Sequence, residues 1–297
     1  MILVDFSQVS LAVIMVFKED LVLGENEKTR GIIRHAILSS ILSNKKKFSK
    51  EYGEIVICCD DRNYWRRDFF TQYKASRKKS RESSDLDWGF IFSMMDEIKQ
   101  TLVDNFPYKV IQVPLCEADD IIAVMAKWSQ DNDLVQEGIV ETPKKMLLLS
   151  SDKDFKQLHI YQNVRQFSPM QKKYVERPAS IPEFILEHII KGDISDGVPS
   201  VLCPDDFLVN KAVYGKAPSV TKKVLERFSN RANLNDLEKT RYDRNETLVS
   251  FEKIPQTITD SIISAYGSCE IKGSQGKIYK YFIANDCKML IYEIESF

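Results

Sequence analysis

Short runs of apolar residues recur along the chain, and most of them end in an acidic residue. Residues 2–5, 54–61 and 145–152 are three such runs, and residues 108–114 form a fourth that lacks the terminal acid. Continuous apolar runs of this length are typical of strands that are buried on both faces. The pattern therefore predicts four strands in the interior of a sheet.

Stretches with helical spacing of apolar residues separate these runs. Residues 28–50 show this spacing most clearly, and residues 87–105 and 117–130 repeat it. Strands that alternate with helices predict an α/β fold with a central, mostly parallel sheet and helices on both faces. Ligands of such sheets bind beyond the carboxyl ends of the strands, which is where the acids at the ends of the apolar runs fall.

The pattern changes near residue 180. Residues 164–176 predict a hairpin, and the chain beyond it is mostly helical, with proline breaks. We expect an α/β domain over 1–185, which includes a distinct segment at 62–85, and a mainly helical region over 186–297.

The composition fits a globular protein of one large or two ordinary domains. Hydrophobic residues make up 43% of the 297 positions, enough for a sizeable core. No apolar run approaches the ~20 residues of a membrane span, and the first residues lack the basic start of a signal peptide. The six cysteines include no C-x-x-C pair, which is typical of reduced thiols. We expect a cytoplasmic protein without membrane association.

Charge is balanced overall but segregated along the chain. The chain has 42 Lys and Arg against 43 Asp and Glu, a net charge of -1, which excludes a uniformly basic coat. Only three histidines are present, so any metal site is expected to use oxygen ligands. The acids concentrate in five places, namely Asp5, Asp60 with Asp61, Glu117 with Asp119 and Asp120, Asp152 with Asp154, and Asp193 with Asp196.

Converging carboxylates repel and raise one another's pKa, and divalent cations remove that penalty. Two Mg²⁺ ions ~3.5–4 Å apart stabilise the attacking and leaving oxygens when a phosphodiester is cleaved. Each acidic group alone has an ordinary explanation, because Asp and Glu also cap helices and occupy turns. Glu117 with Asp120, and the turn at 193–197, fit that description. Their recurrence at predicted strand ends favours a metal site, and Asp61 is left to a structural role.

Residues 62–81 combine cations with aromatic rings. The segment holds eight Lys and Arg, one acid and five aromatic residues. Cations neutralise phosphates and aromatic faces stack unpaired bases, so the segment fits single-stranded or frayed nucleic acid. The alternative is a solvated helix with an aromatic stripe that faces the core, to which Trp65, Phe69 and Phe70 partly belong.

A weaker signal lies at 218–225, where small residues precede Lys222 and Lys223. Helix N-termini bind phosphate through their unpaired amides, which predicts a contact to nucleic acid. A plain amphipathic helix is the simpler explanation of this stretch.

Six stretches resemble the 5′-nuclease (flap endonuclease) superfamily, and within it the ribonucleases H of T-even bacteriophages. They read LVDFSQ at 3–8, YWRRDF at 64–69, EADD at 117–120, SSDKDF at 150–155, FSPM at 167–170 and KGDISD at 191–196. The similarity runs almost from end to end. The acidic series is specific to the superfamily, and the 64–69 string points to the phage branch.

The resemblance implies two Mg²⁺ sites, with Mn²⁺ able to substitute. The first site corresponds to Asp5, Asp60, Asp119 and Asp152, with Glu117 alongside. The second corresponds to Asp154, Asp193 and Asp196.

The resemblance also makes 62–85 an arch segment, which in the family touches the scissile phosphate and the displaced strand. The matching residues are Arg66, Tyr73, Lys74 and Arg77. We expect Lys74 and Arg77 to act in catalysis with Asp5, Asp60, Asp119 and Asp152, because a charge aimed at the scissile phosphate stabilises the transition state. Attraction of the phosphate backbone is assigned to Lys78, Lys79, Arg81, Lys222 and Lys223.

The implied activity is Mg²⁺-dependent 5′-to-3′ exonuclease and flap endonuclease cleavage, which removes RNA primers from lagging-strand fragments during phage DNA replication. The implied substrates are RNA–DNA hybrids and nicked, flapped or forked DNA duplexes. A single-strand-binding protein and a sliding clamp are the implied partners, and we expect a monomer in the host cell cytoplasm.

Two other functions fit parts of the sequence. A haloacid-dehalogenase-type phosphatase needs Asp-x-Asp after the first strand, whereas the chain has Asp5-Phe6-Ser7. A non-catalytic nucleic-acid-binding module on the same fold would lack metal ligands, and every first-site position is present. The stretch after Asp196 departs from the family's glycine-rich turn, so a monovalent ion there stays open. The preference between RNA and DNA and the balance of exonuclease and flap cleavage also stay open.

Overall fold

Within the part of the chain that the computed structural model describes, residues 1–22, 26–137 and 140–297, six strands form one sheet. The strands of this described part are β1 (Ile2–Asp5), β2 (Ile55–Cys59), β3 (Lys109–Gln112), β4 (Leu134–Glu137), β5 (Val140–Pro143), β6 (Met146–Leu149), β7 (Val164–Ser168) and β8 (Lys173–Tyr174). The order of the sheet is β3-β2-β1-β6-β7-β8, and β4 pairs with β5 in a separate antiparallel ribbon.

The register of the sheet brings the ends of three strands side by side. Val4 of β1 lies between Ile57 of β2 and Leu149 of β6, and all three strands run in parallel. Only the short edge strand β8 runs antiparallel to its neighbour within this sheet. The predicted mostly parallel α/β sheet is confirmed, and β1, β2 and β6 lie in its interior, where apolar strands are stable. The prediction of an interior position is wrong for β3, which is an edge strand with partly exposed residues because Lys109 and Gln112 flank its short apolar stretch. The β4–β5 ribbon is half polar and was not predicted.

Helices make up most of the remaining structure. They are α1 (Phe6–Ile14), α2 (Lys18–Val22), α3 (Glu27–Tyr52), α4 (Trp65–Phe69), α5 (Ala75–Glu82), α6 (Trp88–Asn105), α7 (Ala118–Asn132), α8 (Ile181–Lys191), α9 (Lys211–Tyr214), α10 (Lys222–Phe228), α11 (Asp236–Val249), α12 (Gln256–Ser268), α13 (Gln275–Ala284) and α14 (Lys288–Ile291). The helices predicted at 28–50, 87–105 and 117–130 are confirmed as α3, α6 and α7. No helix among the described residues is long and apolar enough to cross a membrane.

The chain forms two compact units that are not contiguous in sequence. The first consists of Met1–Arg62, Asp85–Val175 and Thr259–Phe297, and the second of Asn63–Ser84 and Glu176–Ile258. The predicted boundary near residue 185 divides the chain at a single point, whereas each compact unit combines separate segments. The division into 1–185 and 186–297 stays a prediction.

In the first unit, helices from both ends of the chain pack against the sheet and form the hydrophobic core with it. Ile2, Ile57 and Leu147 are fully buried in this cluster. Phe106 packs edge-on against Phe297, with ring centroids 5.1 Å apart. A rigid sheet is the result, and side chains at its strand ends are held in place.

The second unit has its own smaller core. Phe70 and Tyr73 from the arch segment pack with Ile190 and Phe228. Inside it, the fully buried Asn245 donates to the carbonyls of Ile189 at 2.7 Å and Pro199 at 2.9 Å. The arch segment is thereby anchored to the helices that follow residue 176.

Candidate functional site

Asp5 stands at the end of β1 and is only 5% exposed. Its Oδ1 accepts the backbone N–H of Gln8 at 3.0 Å, which caps α1. Its Oδ2 accepts the hydroxyl of Ser150 at 3.0 Å, just beyond the end of β6. The same Ser150 Oγ accepts the backbone N–H of Asp152 at 3.1 Å. One serine therefore ties the two acids at neighbouring strand ends together.

Asp60 follows β2 at the same edge of the sheet. Its Oδ1 accepts the backbone N–H of Ala118 at 2.9 Å, so the carboxylate also fixes the start of α7. Asp61 accepts the N–H of Leu115 at 3.0 Å, a structural role as the sequence indicated.

The acids at the start of α7 divide between structure and site. Asp120 is fully buried, and its Oδ2 accepts the backbone N–H of Glu117 at 3.0 Å, as in a capping box. Asp119 is half-buried, and its charge is one of several that add to the effect of burial in raising the pKa of the Cys58 thiol. The Glu117 side chain in turn accepts the backbone N–H of Asp120, so the capping explanation weighed for Glu117 and Asp120 is correct for both.

The electrostatics of Asp5 reflect its burial and the acids that follow the neighbouring strands. Burial and then the charge of Asp60 raise the pKa of the Asp5 carboxyl from 3.8 to about 7. The charge of Asp152 adds to the rise, and the hydrogen bonds from Gln8 and Ser150 oppose it. Burial disfavours the charged form of a carboxyl group, and neighbouring negative charges add to that effect. Asp5, Asp60 and Asp152 thus follow neighbouring parallel strands at one edge of the sheet, and their joint role as a site stays a prediction.

Two residues that sequence reasoning did not single out hold this edge in shape. Gln166 on β7 is 1% exposed and donates to the carbonyls of Ser150 at 3.0 Å and Asp152 at 2.6 Å. Asp152 Oδ1 in turn accepts the backbone N–H of Asp154 at 2.9 Å. Gln166 could have been noticed in the sequence as a polar residue within a predicted strand. Ser150 is the first residue of the stretch at 150–155 that carries the resemblance.

The second unit contains Asp193 and Asp196, the two predicted acids that follow α8. Asp193, 5% exposed, accepts the backbone N–H of Ser195 at 2.8 Å and its hydroxyl at 2.5 Å. His188 Nε2 lies 3.2 Å from the other oxygen of the Asp193 carboxylate.

Asp196 turns instead toward the arch segment. Its Oδ2 accepts the hydroxyl of Tyr73 at 3.1 Å and lies 3.4 Å from Lys74 Nζ. Its Oδ1 accepts Arg77 Nη2 at 2.5 Å. Asp193 and Asp196, although three residues apart, therefore serve different partners in this structure.

The backbone explains why these groups meet. Gly197 has φ +75°, and a Cβ there would lie 2.6 Å from the Gln72 carbonyl oxygen, so only glycine permits this approach. The N–H of Lys74 donates to the Asp196 carbonyl at 2.7 Å. Lys74 itself has φ +55° and directly precedes α5, which begins at Ala75 and carries Arg77.

The other arch residues separate into buried and exposed sets. Arg66 is 3% exposed, stacks on Trp65 and donates to the Leu248 carbonyl at 3.0 Å. Tyr73 is 3% exposed in the core of the unit. Their assignment to nucleic-acid binding stays a prediction, and in this structure both stabilise the arch segment from inside. Exposed positions on α5 and at the start of α10 are occupied by Lys78, Lys79, Lys222 and Lys223, and Arg81 is half-buried.

Carboxylates at the ends of parallel strands are suited to binding a hard divalent cation. The cationic arch segment of the same chain is suited to binding phosphate. Together they define the class of metal-dependent nucleases.

The comparisons with known proteins give the family. Residues 3–184 match the model described as the N-terminal resolvase-like domain of 5′-3′ exonucleases, and residues 180–297 match the one described as the C-terminal part of T4 RNase H. The ribonuclease H of Enterobacteria phage T4 is 36% identical over 304 residues, which covers 99% of this chain and 95% of that protein. The chain therefore belongs to the 5′-3′ exonuclease family and, within it, to the T4 ribonuclease H group, as the motifs indicated.

Two solved structures from bacteriophage T5 share the fold. A T5 protein co-crystallised with metal ions matches with a TM-score of 0.58 and 17% identity, covering 91% of this chain and 99% of that one. The T5 flap endonuclease in a complex with DNA and metal ions matches with a TM-score of 0.54 and 16% identity, covering 90% and 93%. The protein is a nuclease of a metal-dependent family that acts on nucleic acid, so the phosphatase and the non-catalytic module are excluded.

Proposed function

We propose that the protein is a Mg²⁺-dependent 5′-to-3′ exonuclease and flap endonuclease that removes RNA primers from lagging-strand fragments. Its substrates would be RNA–DNA hybrids and nicked, flapped or forked DNA duplexes. The observation that carries the proposal is the group formed by Asp5, Asp60 and Asp152 at neighbouring strand ends, where burial, and then the charges of Asp60 and Asp152, raise the pKa of Asp5 to about 7. A site that disfavours its own charges is suited to a cation that compensates them.

The donors at the sheet edge fit Mg²⁺ because they are all carboxylate oxygens. We assign the first ion to Asp5, Asp60, Asp119 and Asp152, with Glu117 alongside. A second ion, held by the remaining carboxylates that the resemblance named, is part of the proposal, as is substitution by Mn²⁺. When bound, the ions would neutralise charge on the phosphodiester as it is cleaved.

Other residues of the chain would orient the metal-binding carboxylates or bind the nucleic acid. Ser150 and Gln166 fix the orientation of the strand-end acids through the hydrogen bonds described above. Lys74 and Arg77 would contact the scissile phosphate, where a positive charge stabilises the transition state. Lys78, Lys79, Arg81, Lys222 and Lys223 would attract the backbone without taking part in the reaction.

The setting of this activity is also a proposal. We infer a monomer in the host cell cytoplasm that works with a single-strand-binding protein and a sliding clamp. Gel filtration and pull-down with each purified partner test these points independently of catalysis.

The decisive experiment is a cleavage assay with 5′-labelled flapped DNA and a matched RNA–DNA hybrid, with Mg²⁺, with Mn²⁺ and with EDTA. Release of short 5′ products with either metal and none with EDTA is expected. Cleavage in EDTA, or none of either substrate with metal, would contradict the proposal. The ratio of the two substrates decides the RNA or DNA preference.

A further inference from the structure

The arch segment and the turn at 193–197 enclose an anion, and that anion is the side chain of Asp196. Its carboxylate receives three different donors from one stretch of chain, the hydroxyl of Tyr73, the ammonium of Lys74 and the guanidinium of Arg77. A guanidinium binds carboxylates and phosphates with the same forked geometry, and an ammonium attracts both. The donors are therefore arranged as a receptor for an oxyanion.

We propose that Asp196 is an internal mimic of a substrate phosphate. It occupies the receptor formed by Tyr73, Lys74 and Arg77 while no substrate is present, and a phosphodiester of the nucleic acid displaces it. We call this arrangement the Asp196 latch. It rests on the proposed function for the identity of the ligand, but not for the geometry of the receptor.

The carboxylate is not required to hold the local backbone, which makes displacement feasible. The Lys74 N–H to Asp196 carbonyl bond joins the turn to the arch segment through main-chain atoms alone. The close approach of Gly197 to Gln72 joins them a second time. The side chain of Asp196 can therefore rotate away while the receptor keeps its shape.

The receptor is open on one side. The Arg77 side chain is 46% exposed, whereas those of Lys74 and Asp196 are 8% and 16% exposed. An incoming phosphate can meet Arg77 first and then compete for Lys74. A partly desolvated lysine gives a strong interaction with whichever anion holds it.

Displacement has a consequence for cations. The resemblance assigns Asp196 to metal binding, and one carboxylate cannot serve the latch and a cation at once. Phosphate binding to the receptor would release Asp196, so substrate and cation would each favour the binding of the other by the same factor.

The latch is tested by binding in EDTA, where cleavage does not interfere. The probe is fluorescein-labelled flapped DNA, and its dissociation constant is measured by anisotropy for the wild type, Asp196→Asn and Glu82→Gln. Glu82→Gln is a matched control, because it removes the same charge from a residue on α5. Glu82 pairs with Lys78 at 3.8 Å rather than with the receptor. We expect Asp196→Asn to bind about 5- to 10-fold more tightly, and Glu82→Gln to change affinity by no more than about 2-fold.

A second variant separates the receptor from general electrostatics. In an Arg77→Ala background, Asp196→Asn should bring little or no gain, because the main donor is absent. Equal effects of Asp196→Asn and Glu82→Gln, or weaker binding by Asp196→Asn, would overturn the latch. Asp196→Ala keeps the same main-chain bond and carries the same expectation if the Asn variant does not fold. Cleavage by the wild type with Mg²⁺ tests the proposed function separately, so failure of one leaves the other standing.

Discussion

Asp5 follows three apolar strand residues and is buried almost as deeply as they are. Its raised pKa means that the folded, metal-free protein keeps a proton on this group at pH values where the unfolded chain has lost it. The unfolded state then binds fewer protons, and the free energy of unfolding falls as the pH rises from about 4 to about 7. The buried Asp5 carboxylate thus lowers the stability of the metal-free protein at pH values where it is ionised.

We therefore predict that Asp5→Asn raises the stability of the metal-free protein at pH 8, by on the order of 1–3 kcal/mol, and much less at pH 4.5. Urea unfolding in EDTA at the two pH values measures this. The exposed Asp85→Asn serves as control and should show no pH-dependent difference. A gain that is the same at both pH values would mean that the repulsion at the sheet edge is unimportant.

Asp152→Asn should abolish cleavage and leave DNA binding largely intact. A neutral amide is a poor ligand for Mg²⁺, but it can still accept the N–H of Asp154 and preserve the turn. Asp61→Asn, an acid-to-amide change beside the site, is expected to keep its activity. Single-turnover cleavage with Mg²⁺ and anisotropy in EDTA provide the two readouts, and near-normal turnover by Asp152→Asn would refute the assignment of the first ion.

At the scale of elements, the turn at 193–197 shows how one glycine positions the arch segment. We predict that Gly197→Ala destabilises the protein by about 2–4 kcal/mol, since a left-handed φ and a backbone clash add together. Gly215→Ala is a control with φ +73° and open space around its Cβ, so it should cost about 1 kcal/mol. Thermal unfolding of both variants isolates the contact from the dihedral angle, and equal losses would show that the close approach is unimportant.

The cations of the arch segment should divide between affinity and rate. Neutralising Lys78, Lys79 and Arg81 should weaken binding and reduce the salt slope by about one unit per lost contact, with little change in the single-turnover rate. Lys74→Ala should instead slow cleavage by ~10²–10³ with a modest change in affinity. Single-turnover kinetics at several salt concentrations decide this, and the reverse pattern would show the division to be wrong.

The elements also show where sequence reasoning succeeds. Apolar strands and regularly spaced helices predicted the sheet, and acids after apolar runs placed Asp5, Asp60 and Asp152 at neighbouring strand ends, because both signals are local. The contact of Asp196 with Arg77 could not be seen, since it joins residues 119 positions apart. The buried state of Arg66 was equally hidden, because a cation in a basic stretch gives no sign that its partner is the Leu248 carbonyl.

At the scale of the whole molecule, a net charge of -1 means that attraction of nucleic acid must come from local surfaces. We predict that Lys222→Ala with Lys223→Ala reduces the slope of log affinity against log salt by about 1 to 2 units. Lys46→Ala is the control, because its ammonium is paired with Glu293 in the first unit. Anisotropy titrations from low to high salt give both slopes, and an unchanged slope for the double variant would remove α10 from the binding surface.

The position of β1 in the middle of the sheet also fixes an order of events during synthesis. Ser150 and Asp5, joined in the finished protein, are 145 residues apart in the chain. At ~5–20 residues per second, a ribosome needs about 7 to 30 seconds to synthesise the intervening residues. During that time one edge of β1 has no partner strand, because β6 has not yet been made. Asp152 can join Asp5 at the sheet edge only after β6 has been made. Until then the nascent chain exposes an unpaired strand edge that favours aggregation, and it cannot yet be active.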